Sequence, residues 1–392
     1  MIRIQRSAPV AVPRIATEPL ALRSPRAQLE STFTPVLQQQ GQPARTREQA
    51  LAEAQRALAA FSEPGFAAYG DPVTNPADST TVGGYRRGSP QTADAEAVLA
   101  ANAGAERAAL AALTPPQQTQ YLETMALLAD RPGAQLAMQT MLLDGRLPGA
   151  AAWRSEGPGG NLLETLHTLA VRGVPATTGD TTDFVAQLAV ECAAPECINQ
   201  GDRGTCGPTS LTIALARENP SEYARVVAGL ALNGSVVCAN GSTLNAYSGA
   251  SANDGTWRSL TQKLLAPALM SAGNTGFAYD NTNDRNWFIV GFPSGMYPGG
   301  LAAVGGMLFN RNFSAVQFLH PALSNGYASG EAFDRLAAGR TPVIAVMDIG
   351  HFMIVDRREG GFVYLTNPWG VTERMTEADF QAHCRGVVAA TE

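Results

Sequence analysis

The sequence predicts an α+β chain, with an all-α first half and a second half that mixes helices with antiparallel strands. Ala-rich segments between residues 47 and 171 are interrupted repeatedly by Pro and Gly, a pattern typical of short helices joined by tight connections. Three apolar runs between residues 342 and 366 are separated by polar, Gly-containing turns, which favours antiparallel strands. The stretch Gly173–Thr182, rich in Gly, Pro and Thr, marks the predicted boundary between the two halves.

The length of 392 residues is enough for two or more domains and a sizeable core. A hydrophobic content of 45% with 16% charged residues fits a soluble globular protein. The net charge of −6 argues against a general nucleic-acid surface. No apolar run approaches the ~18 residues needed to span a bilayer, so no membrane span is expected. No signal-peptide pattern follows the start, which leaves the location open between the cytoplasm and export without such a signal.

Residues 1–47 contain seven Arg and two Glu, several Pro, and no sustained hydrophobic periodicity. This composition predicts a disordered basic arm over residues 1–46. A secretion, targeting or membrane-surface segment is the alternative, although the Arg residues are spaced and not clustered.

A helical domain is predicted for residues 47–175, in segments that end at Pro, Gly or a polar cap. The predicted helices of this domain are 47–62, 93–113, 117–128, 134–143 and 162–171. The second predicted domain covers residues 184–392. Its predicted helices are 184–191, 209–216, 222–232, 257–269 and 330–338. The Gly-, Asn- and Ser-rich remainder between residues 233 and 325 is predicted to form irregular loops and short strands.

Three strands are predicted near the end of the chain, over residues 342–347, 351–356 and 362–366. His351 opens the second of these strands, and Asn367 closes the third. If the two strands pair as a hairpin, both side chains lie near one end of a sheet.

The chain has five cysteines and four scattered histidines. Because the cysteine count is odd, at least one thiol is free or paired outside the chain. Cys192 and Cys197 are close enough in sequence for a local disulfide, which geometry would have to decide. Without a Cys-x-x-Cys pair or a His cluster, neither a metal site nor another cofactor is expected. Four cysteines are interpreted as structural: Cys192, Cys197, Cys238 and Cys384.

The fifth cysteine, Cys206, lies between two glycines and directly before a helical pattern. A cysteine at a helix N-terminus can be held as a thiolate, the nucleophilic form. Gln200 precedes it by six residues, and an amide side chain can donate a hydrogen bond to an oxyanion. This combination of a nucleophile and an oxyanion donor predicts a catalytic cysteine.

A catalytic thiol needs a base, and the base needs a third group to orient it. His351 and Asn367 are the candidates for these two roles, and Trp369 is placed to cover the bond between them. Rival histidines are His320 and His383, but neither has an Asn-x-Trp sequence nearby. Two carboxylates flank His351 and could orient it in place of Asn367: Asp348 and Asp356. Asp356 is predicted to face the wrong side of its strand.

With these residues in place, the chain resembles the papain-like cysteine peptidases, whose order and spacing of Cys, His and Asn it matches. Asn367-Pro368-Trp369-Gly370 is similar to the family's Asn-Ser-Trp-Gly. Cys206-Gly207-Pro208-Thr209-Ser210 and His351-Phe352 are closer to the bacterial peptidases that trim double-glycine leaders. The resemblance covers residues 184–392. It implies a two-lobed fold, with a helical lobe carrying Cys206 and an antiparallel sheet lobe carrying His351 and Asn367.

The same resemblance implies a cysteine peptidase that cleaves peptide bonds through an acyl-enzyme thioester. Cys206 would be the nucleophile, His351 the base, Asn367 its orienter and Gln200 the oxyanion donor, with Trp369 and Gly207 in supporting positions. The sequence departs from the secreted animal and plant enzymes at two places. Gly207 replaces their aromatic residue, and Arg203 replaces a disulfide cysteine. Their inhibitory pro-segment signature is also absent from residues 1–183.

Two other function classes remain open on the sequence alone. A deamidase, transglutaminase or acyltransferase uses the same kind of triad but changes the bond or the acceptor. A catalytically silent, toxin-like binding module would use the fold only as a scaffold. The expected partner of the peptidase is a protein or peptide substrate. The helical domain is also expected to dock on the peptidase domain, either as a pro-segment that blocks the cleft or as a targeting domain.

Overall fold

A computed structural model describes residues 45–59, 66–68, 90–149, 151–154, 160–274, 278–287, 295–318, 326–348 and 350–392. The described residues belong to one compact unit, Pro43–Glu392. All but two residues of the predicted basic arm, and the rival His320, lie outside the described residues. None of the described helices is both long and apolar enough to cross a membrane.

The fold is mixed α+β, as predicted. The part of the chain that the structure describes contains twelve α-helices, numbered α1 to α12 in chain order. They are α1 (Arg47–Ala59), α2 (Pro90–Ala111), α3 (Pro115–Leu127), α4 (Pro132–Leu143), α5 (Leu162–Arg172), α6 (Thr181–Ala193), α7 (Cys206–Glu218), α8 (Pro220–Asn233), α9 (Leu260–Gly273), α10 (Pro298–Phe309), α11 (Tyr327–Ala337) and α12 (Glu377–His383).

Several helix starts are set by side chains that satisfy the free N–H groups of the first turn. Asn161 accepts from the backbone N–H of Glu164 at the start of α5, and Asp180 does the same for Asp183 in α6. Asn219 ends α7 and starts α8, where its side chain accepts from Glu222. All ten predicted helices are present, with ends that differ by a few residues.

Two helices were not predicted, α10 and α12. The α10 sequence contains Gly299, Gly300, Gly305 and Gly306, and Gly usually disfavours a helix interior. Tertiary contact overrides that preference, because a Cβ on Gly300 would lie 2.4 Å from the carbonyl oxygen of Gly273 at the end of α9. Gly300 therefore allows α9 and α10 to approach closely.

A seven-stranded sheet forms the second half of the fold, in the strand order β1-β10-β9-β8-β7-β11-β6. All neighbours are antiparallel except β1 and β10, which run parallel. The strands are β1 (Phe66–Ala68), β6 (Phe313–Gln317), β7 (Val343–Met347), β8 (Phe352–Glu359), β9 (Phe362–Asn367), β10 (Val371–Thr376) and β11 (Cys384–Ala390). Two separate hairpins are formed by β2 (Ser235–Val237) with β3 (Thr243–Asn245), and by β4 (Ala278–Asp280) with β5 (Arg285–Trp287).

The sheet is covered on both faces, as the alternation along β7 illustrates. Ile344 and Val346 face the large core that also contains the buried residues of α7 and α10. Val343, Ala345 and Met347 face a second core with the buried residues of α11 and α12. A strand buried on both faces reads as a continuous apolar run, which is how β7 was recognised.

The large core extends from Ala54 in α1 to Val388 in β11, so it runs through both predicted domains. Polar contacts also cross the predicted boundary, as two examples show. Arg131 donates to Asp183 at 2.9 Å, and Arg146 donates to the carbonyl of Cys192 at 2.8 Å. The stretch Gly173–Thr182 therefore joins helices that share one core.

Candidate active site

Cys206 is the first residue of α7 and is 6% exposed. Pro208 in the first turn is compatible with the helix, because the N–H groups there have no intrahelical acceptor. Gly207 lies in a closely packed position, since a Cβ on it would lie 3.2 Å from Leu301 and 3.5 Å from Phe352. The sequence therefore places the thiol where α7, α10 and the start of β8 meet.

His351 lies directly before β8, after a tight turn. Gly350 has φ +73°, a left-handed conformation that favours glycine. The N–H of Met347 donates to the carbonyl of His351 at 2.8 Å and closes the turn. This turn holds the imidazole at the end of the sheet, 6% exposed.

Asn367 is the last residue of β9, and its side chain reaches His351. The distance between His351 Nε2 and Asn367 Oδ1 is 2.8 Å. The backbone N–H of Trp369 also donates to Oδ1, at 3.1 Å, which identifies this atom as the acceptor. Nε2 of His351 therefore carries the hydrogen, and in the neutral ring Nδ1 is left as the basic atom.

The Trp369 ring stacks on the His351 ring, with centroids 4.5 Å apart. This places an apolar surface over the bond between His351 and Asn367, at the position predicted for Trp369. Gly370, with φ +79°, completes the turn that carries Trp369. Its N–H donates to the carbonyl of Asn367 at 3.1 Å.

Cys206 and His351 are brought to the same place by contacts between α7 and the start of β8. The hydroxyl of Ser210 in α7 donates to the carbonyl of Phe352 at 3.3 Å. The backbone N–H of Phe352, the residue after His351, lies close enough to the Cys206 thiol to act on its pKa. The structure thus places the Cys206 thiol beside Phe352, the residue that follows His351, where α7 packs against the start of β8.

Gln200 lies opposite the Asn367–Gly370 turn, where its backbone N–H donates to the carbonyl of Pro368 at 2.8 Å. Its side-chain Nε2 donates to the carbonyl of Arg203 at 2.7 Å. An amide nitrogen has two hydrogens, so this bond uses one of them and fixes the direction of the other. The Oε1 atom is buried and has no hydrogen-bond partner among the described residues.

Burial governs the titration of the two reactive groups. Desolvation raises the pKa of Cys206 to about 11, although nearby N–H groups of Phe352 and Gly207 oppose the rise. Burial also lowers the pKa of His351, opposed by its bond to Asn367. Each shift favours the neutral form of its group.

Two residues that contact the candidate site were not predicted from the sequence. One of them is Asn199. Its side chain donates to the carbonyl of Trp369 at 2.6 Å and accepts from the N–H of Gly201 at 2.9 Å. Asn199 and Trp369 also form an isolated antiparallel bridge. Asn199 therefore joins the Gln200 segment to the turn after Asn367. An Asn before a Gln gave no usable sequence signal.

The other is Glu373 in β10, which is 3% exposed. Its Oε1 accepts a hydrogen bond from Asn367 Nδ2 at 2.5 Å. The sequence does contain a signal for it, because Glu373 shares the inward face of the strand with Val371 and Met375, two positions away on either side. A carboxylate on an apolar strand face is unusual, but β10 was not predicted as a strand.

The rival residues bind elsewhere. Asp348 accepts from Arg385 at 2.9 Å and also contacts His383. Asp356 accepts from Arg217 at 2.7 Å and from Thr366 at 2.6 Å. These contacts give neither carboxylate the position beside His351 that Asn367 holds.

All five cysteines are described, and all are free and buried. Cys192 and Cys197 do not form the local disulfide that the sequence left open. Burial raises the pKa of Cys238 to about 11 and that of Cys384 to about 12. Within the described ranges, no group of three or more His, Cys, Asp or Glu side chains could hold a metal ion.

Comparison of the chain with protein-family models gives no match, and comparison with curated proteins gives none either.

Proposed function

We propose that this protein is a cysteine peptidase that uses Cys206 as nucleophile, His351 as base and Asn367 as the group that orients the base. The observation that carries this proposal is the 2.8 Å contact between His351 Nε2 and Asn367 Oδ1 beneath the Trp369 ring. It leaves Nδ1 of His351 as the basic atom, and the N–H of the next residue, Phe352, lies near the Cys206 thiol at the start of α7. Acyl transfer of this kind requires a thiol, a base and a group that orients the base.

The proposed reaction begins with transfer of the Cys206 proton to His351 Nδ1. The thiolate attacks the carbonyl carbon of the scissile peptide bond, and the carbonyl oxygen becomes an oxyanion. The second hydrogen of Gln200 Nε2 and the N–H of Cys206 are the proposed donors to that oxyanion. The imidazolium then gives its proton to the departing amine, and water hydrolyses the thioester with His351 again acting as base.

We also propose a papain-like arrangement of two lobes around this site. One lobe would consist of α6 to α9 and carry Gln200 and Cys206. The other would be the seven-stranded sheet, carrying His351 and Asn367. The proposal is supported by the position of Cys206 at a helix N-terminus and of His351 and Asn367 at one sheet end.

The test is incubation of the full chain with a library of peptides from a digested proteome, followed by mapping of new termini. The matched control is Cys206→Ala. New termini that depend on Cys206 are the expected result. Cys206-dependent conversion of Gln to Glu, or attachment of amines, would replace peptidase by deamidase or transferase. No Cys206-dependent product of any kind would overturn the enzymatic proposal and favour a binding module.

A further inference from the structure

Glu373 is a buried carboxylate that contacts Asn367, the residue that in turn contacts the proposed base His351. It lies on the inward face of β10 with its neighbours Val371 and Met375, and is 3% exposed. Burial of a carboxylate is costly unless donors reach it. The Nδ2 group of Asn367 is such a donor, at 2.5 Å from Glu373 Oε1. The described contacts thus run from Glu373 through Asn367 to His351.

The contact with Glu373 determines which way the Asn367 amide faces. An ionised carboxylate has acceptors only, so it binds the NH₂ end of the amide and not the carbonyl end. With Nδ2 held by Glu373, Oδ1 faces His351 and also accepts from the N–H of Trp369. A flipped amide would place Nδ2 against His351 Nε2 and Oδ1 against Glu373, where two acceptors would meet.

The amide direction in turn sets the tautomer of His351. With Oδ1 facing Nε2, the hydrogen is on Nε2 and Nδ1 can take the proton of Cys206. With a flipped amide, Nε2 would have to accept, and the hydrogen would move to Nδ1. The ring could then no longer act as a base towards the thiol.

We propose that Glu373 is a positioning residue for the reaction: its carboxylate fixes the Asn367 amide and, through it, the reactive tautomer of His351. This inference rests on the proposed roles of Cys206 and His351. It predicts that the carboxylate is needed for reactivity at Cys206 although it touches neither the thiol nor the substrate. A buried carboxylate with a purely structural role would alter stability but not the rate at which Cys206 reacts.

The first experiment measures alkylation of Cys206 by iodoacetamide at neutral pH, with each modified cysteine mapped by mass spectrometry. Glu373→Met keeps the side-chain length but removes the acceptor, and should slow the reaction by about 10- to 100-fold, the usual value of a hydrogen bond to a charged group. Glu373→Gln keeps an acceptor for Asn367 and should stay within about threefold of the parent. With a peptide substrate, Glu373→Met should lower kcat and leave KM unchanged.

A second pair of variants exchanges the two chemical groups and keeps the number of side-chain atoms. Asn367→Asp alone places two carboxylates 2.5 Å apart and should slow alkylation by about 10- to 100-fold. Adding Glu373→Gln lets the Gln amide donate to the new carboxylate, which still accepts from His351. The double variant should recover to within about tenfold of the parent. This pair tests the proposal even if Glu373→Met fails to fold.

His351→Ala is the control that separates this proposal from the proposed function. If His351→Ala slows alkylation but the Glu373 variants and the exchanged pair do not, Glu373 is not a positioning residue and the peptidase proposal stands. If His351→Ala has no effect, the assignment of the base is wrong. Reaction at Cys192 or Cys238 in Glu373→Met would indicate loss of packing, and the exchanged pair would then decide.

Discussion

Two buried carboxylates in this protein have different surroundings. Glu191 in α6 is 2% exposed and accepts from the hydroxyls of Tyr223, Ser259 and Thr261. Glu373 in β10 is similarly buried, and its Oε1 accepts from the amide of Asn367. Both are polar groups inside an apolar core, but the contacts of Glu191 stay among helices α6, α8 and α9, and the contact of Glu373 leads to the candidate site.

The donors explain what each carboxylate can do. Hydroxyl groups rotate, so the three around Glu191 can adapt to its charge and hold three helices together. An amide has one NH₂ end and one oxygen end, so it cannot adapt to Glu373 without turning its other end towards His351. A contact of the first kind stabilises a fold, whereas a contact of the second kind transmits an orientation. The predictions below test this distinction, from the largest expected effect to the smallest.

The largest effect is expected for His351→Ala. Burial raises the pKa of Cys206 to about 11, and the proposed route to a reactive thiolate at neutral pH is transfer of the proton to His351, which this variant lacks. At pH 7 only about one thiol in ten thousand would then be thiolate. Alkylation by iodoacetamide at pH 7 should therefore fall by roughly 10²- to 10⁴-fold, since only the thiolate reacts.

The pH profile of the same variant provides the control. Its alkylation rate should rise about tenfold per pH unit from pH 7 towards pH 11, because the thiolate fraction grows as pH approaches a raised pKa. The parent should show a reactive thiol at much lower pH. Identical profiles for the parent and His351→Ala would show that the imidazole does not activate Cys206.

The next effect concerns Gln200→Ala, which removes one proposed oxyanion donor. Peptide turnover should fall by roughly 10²- to 10³-fold, the usual loss for such a donor. Alkylation of Cys206 should be unchanged, since iodoacetamide forms no oxyanion at this position. The matched control is Gln187→Ala, a buried Gln whose Oε1 accepts from the N–H of Leu260 at 2.6 Å. It should lower stability but not turnover below the melting temperature, and equal losses in both variants would contradict the assigned role.

The Glu191 cluster should respond in stability alone. Glu191→Ala leaves three buried hydroxyls without their acceptor and should cost about 2 to 4 kcal/mol of unfolding free energy. Cys206 alkylation should be unaffected in the folded protein. A chemical denaturation curve and the alkylation rate measure the two properties separately. A slower Cys206 reaction in folded Glu191→Ala would remove the distinction between the two carboxylates.

The pH dependence of Glu191 follows from its pKa, which desolvation raises above the usual value. The folded state therefore binds this proton more tightly than the unfolded state does. Its contribution to stability is full below the unfolded pKa and is lost as pH rises through the folded pKa. Glu191→Gln cannot ionise, so its unfolding free energy should change less with pH over this range than that of the parent.

How far the sequence predicts this structure depends on the range of the contacts involved. His351 and Asn367 could be placed at one sheet end because a hairpin is local and its strands alternate with a period of two. The position of Cys206 at a helix start was also predictable, because local sequence marks where a helix begins. Glu373 was not found, because its role depends on β10 lying beside β9 after the Trp369 turn. The α10 helix was missed because its glycines disfavour a helix locally, and the close contact of Gly300 with α9 is not visible in the sequence.

The predicted domain boundary at Gly173–Thr182 also depends on contacts between residues far apart in the sequence. The local composition is that of a linker, yet the helices on either side share a core. Whether two helices joined by a Gly- and Pro-rich segment pack on each other is decided by their apolar faces. Arg146, which caps the carbonyls at the end of α6, lies 46 residues from Cys192 in the sequence, and no local pattern reveals such a contact.

The smallest effect is expected for Asn199→Ala. Asn199 connects the Gln200 segment to the Trp369 turn by hydrogen bonds to Trp369 and Gly201. The backbone bond from Gln200 to Pro368 remains in the variant, so the two segments stay paired. Loss of the side-chain bonds should loosen the position of the Gln200 amide and lower peptide turnover by about tenfold, equivalent to about 1.4 kcal/mol.

Asn199→Asp is the matched variant, because it keeps the acceptor for Gly201 and loses the donor to Trp369. Because a carboxylate oxygen would then face the carbonyl oxygen of Trp369, its turnover should be at or below that of Asn199→Ala. Alkylation of Cys206 should stay at the parental rate in both, since His351 and Asn367 keep their own contact at 2.8 Å. If Asn199→Ala slowed alkylation as strongly as turnover, its side chain would act on the His351–Asn367 pair. The orientation of His351 would then depend on Asn199 as well as on Glu373.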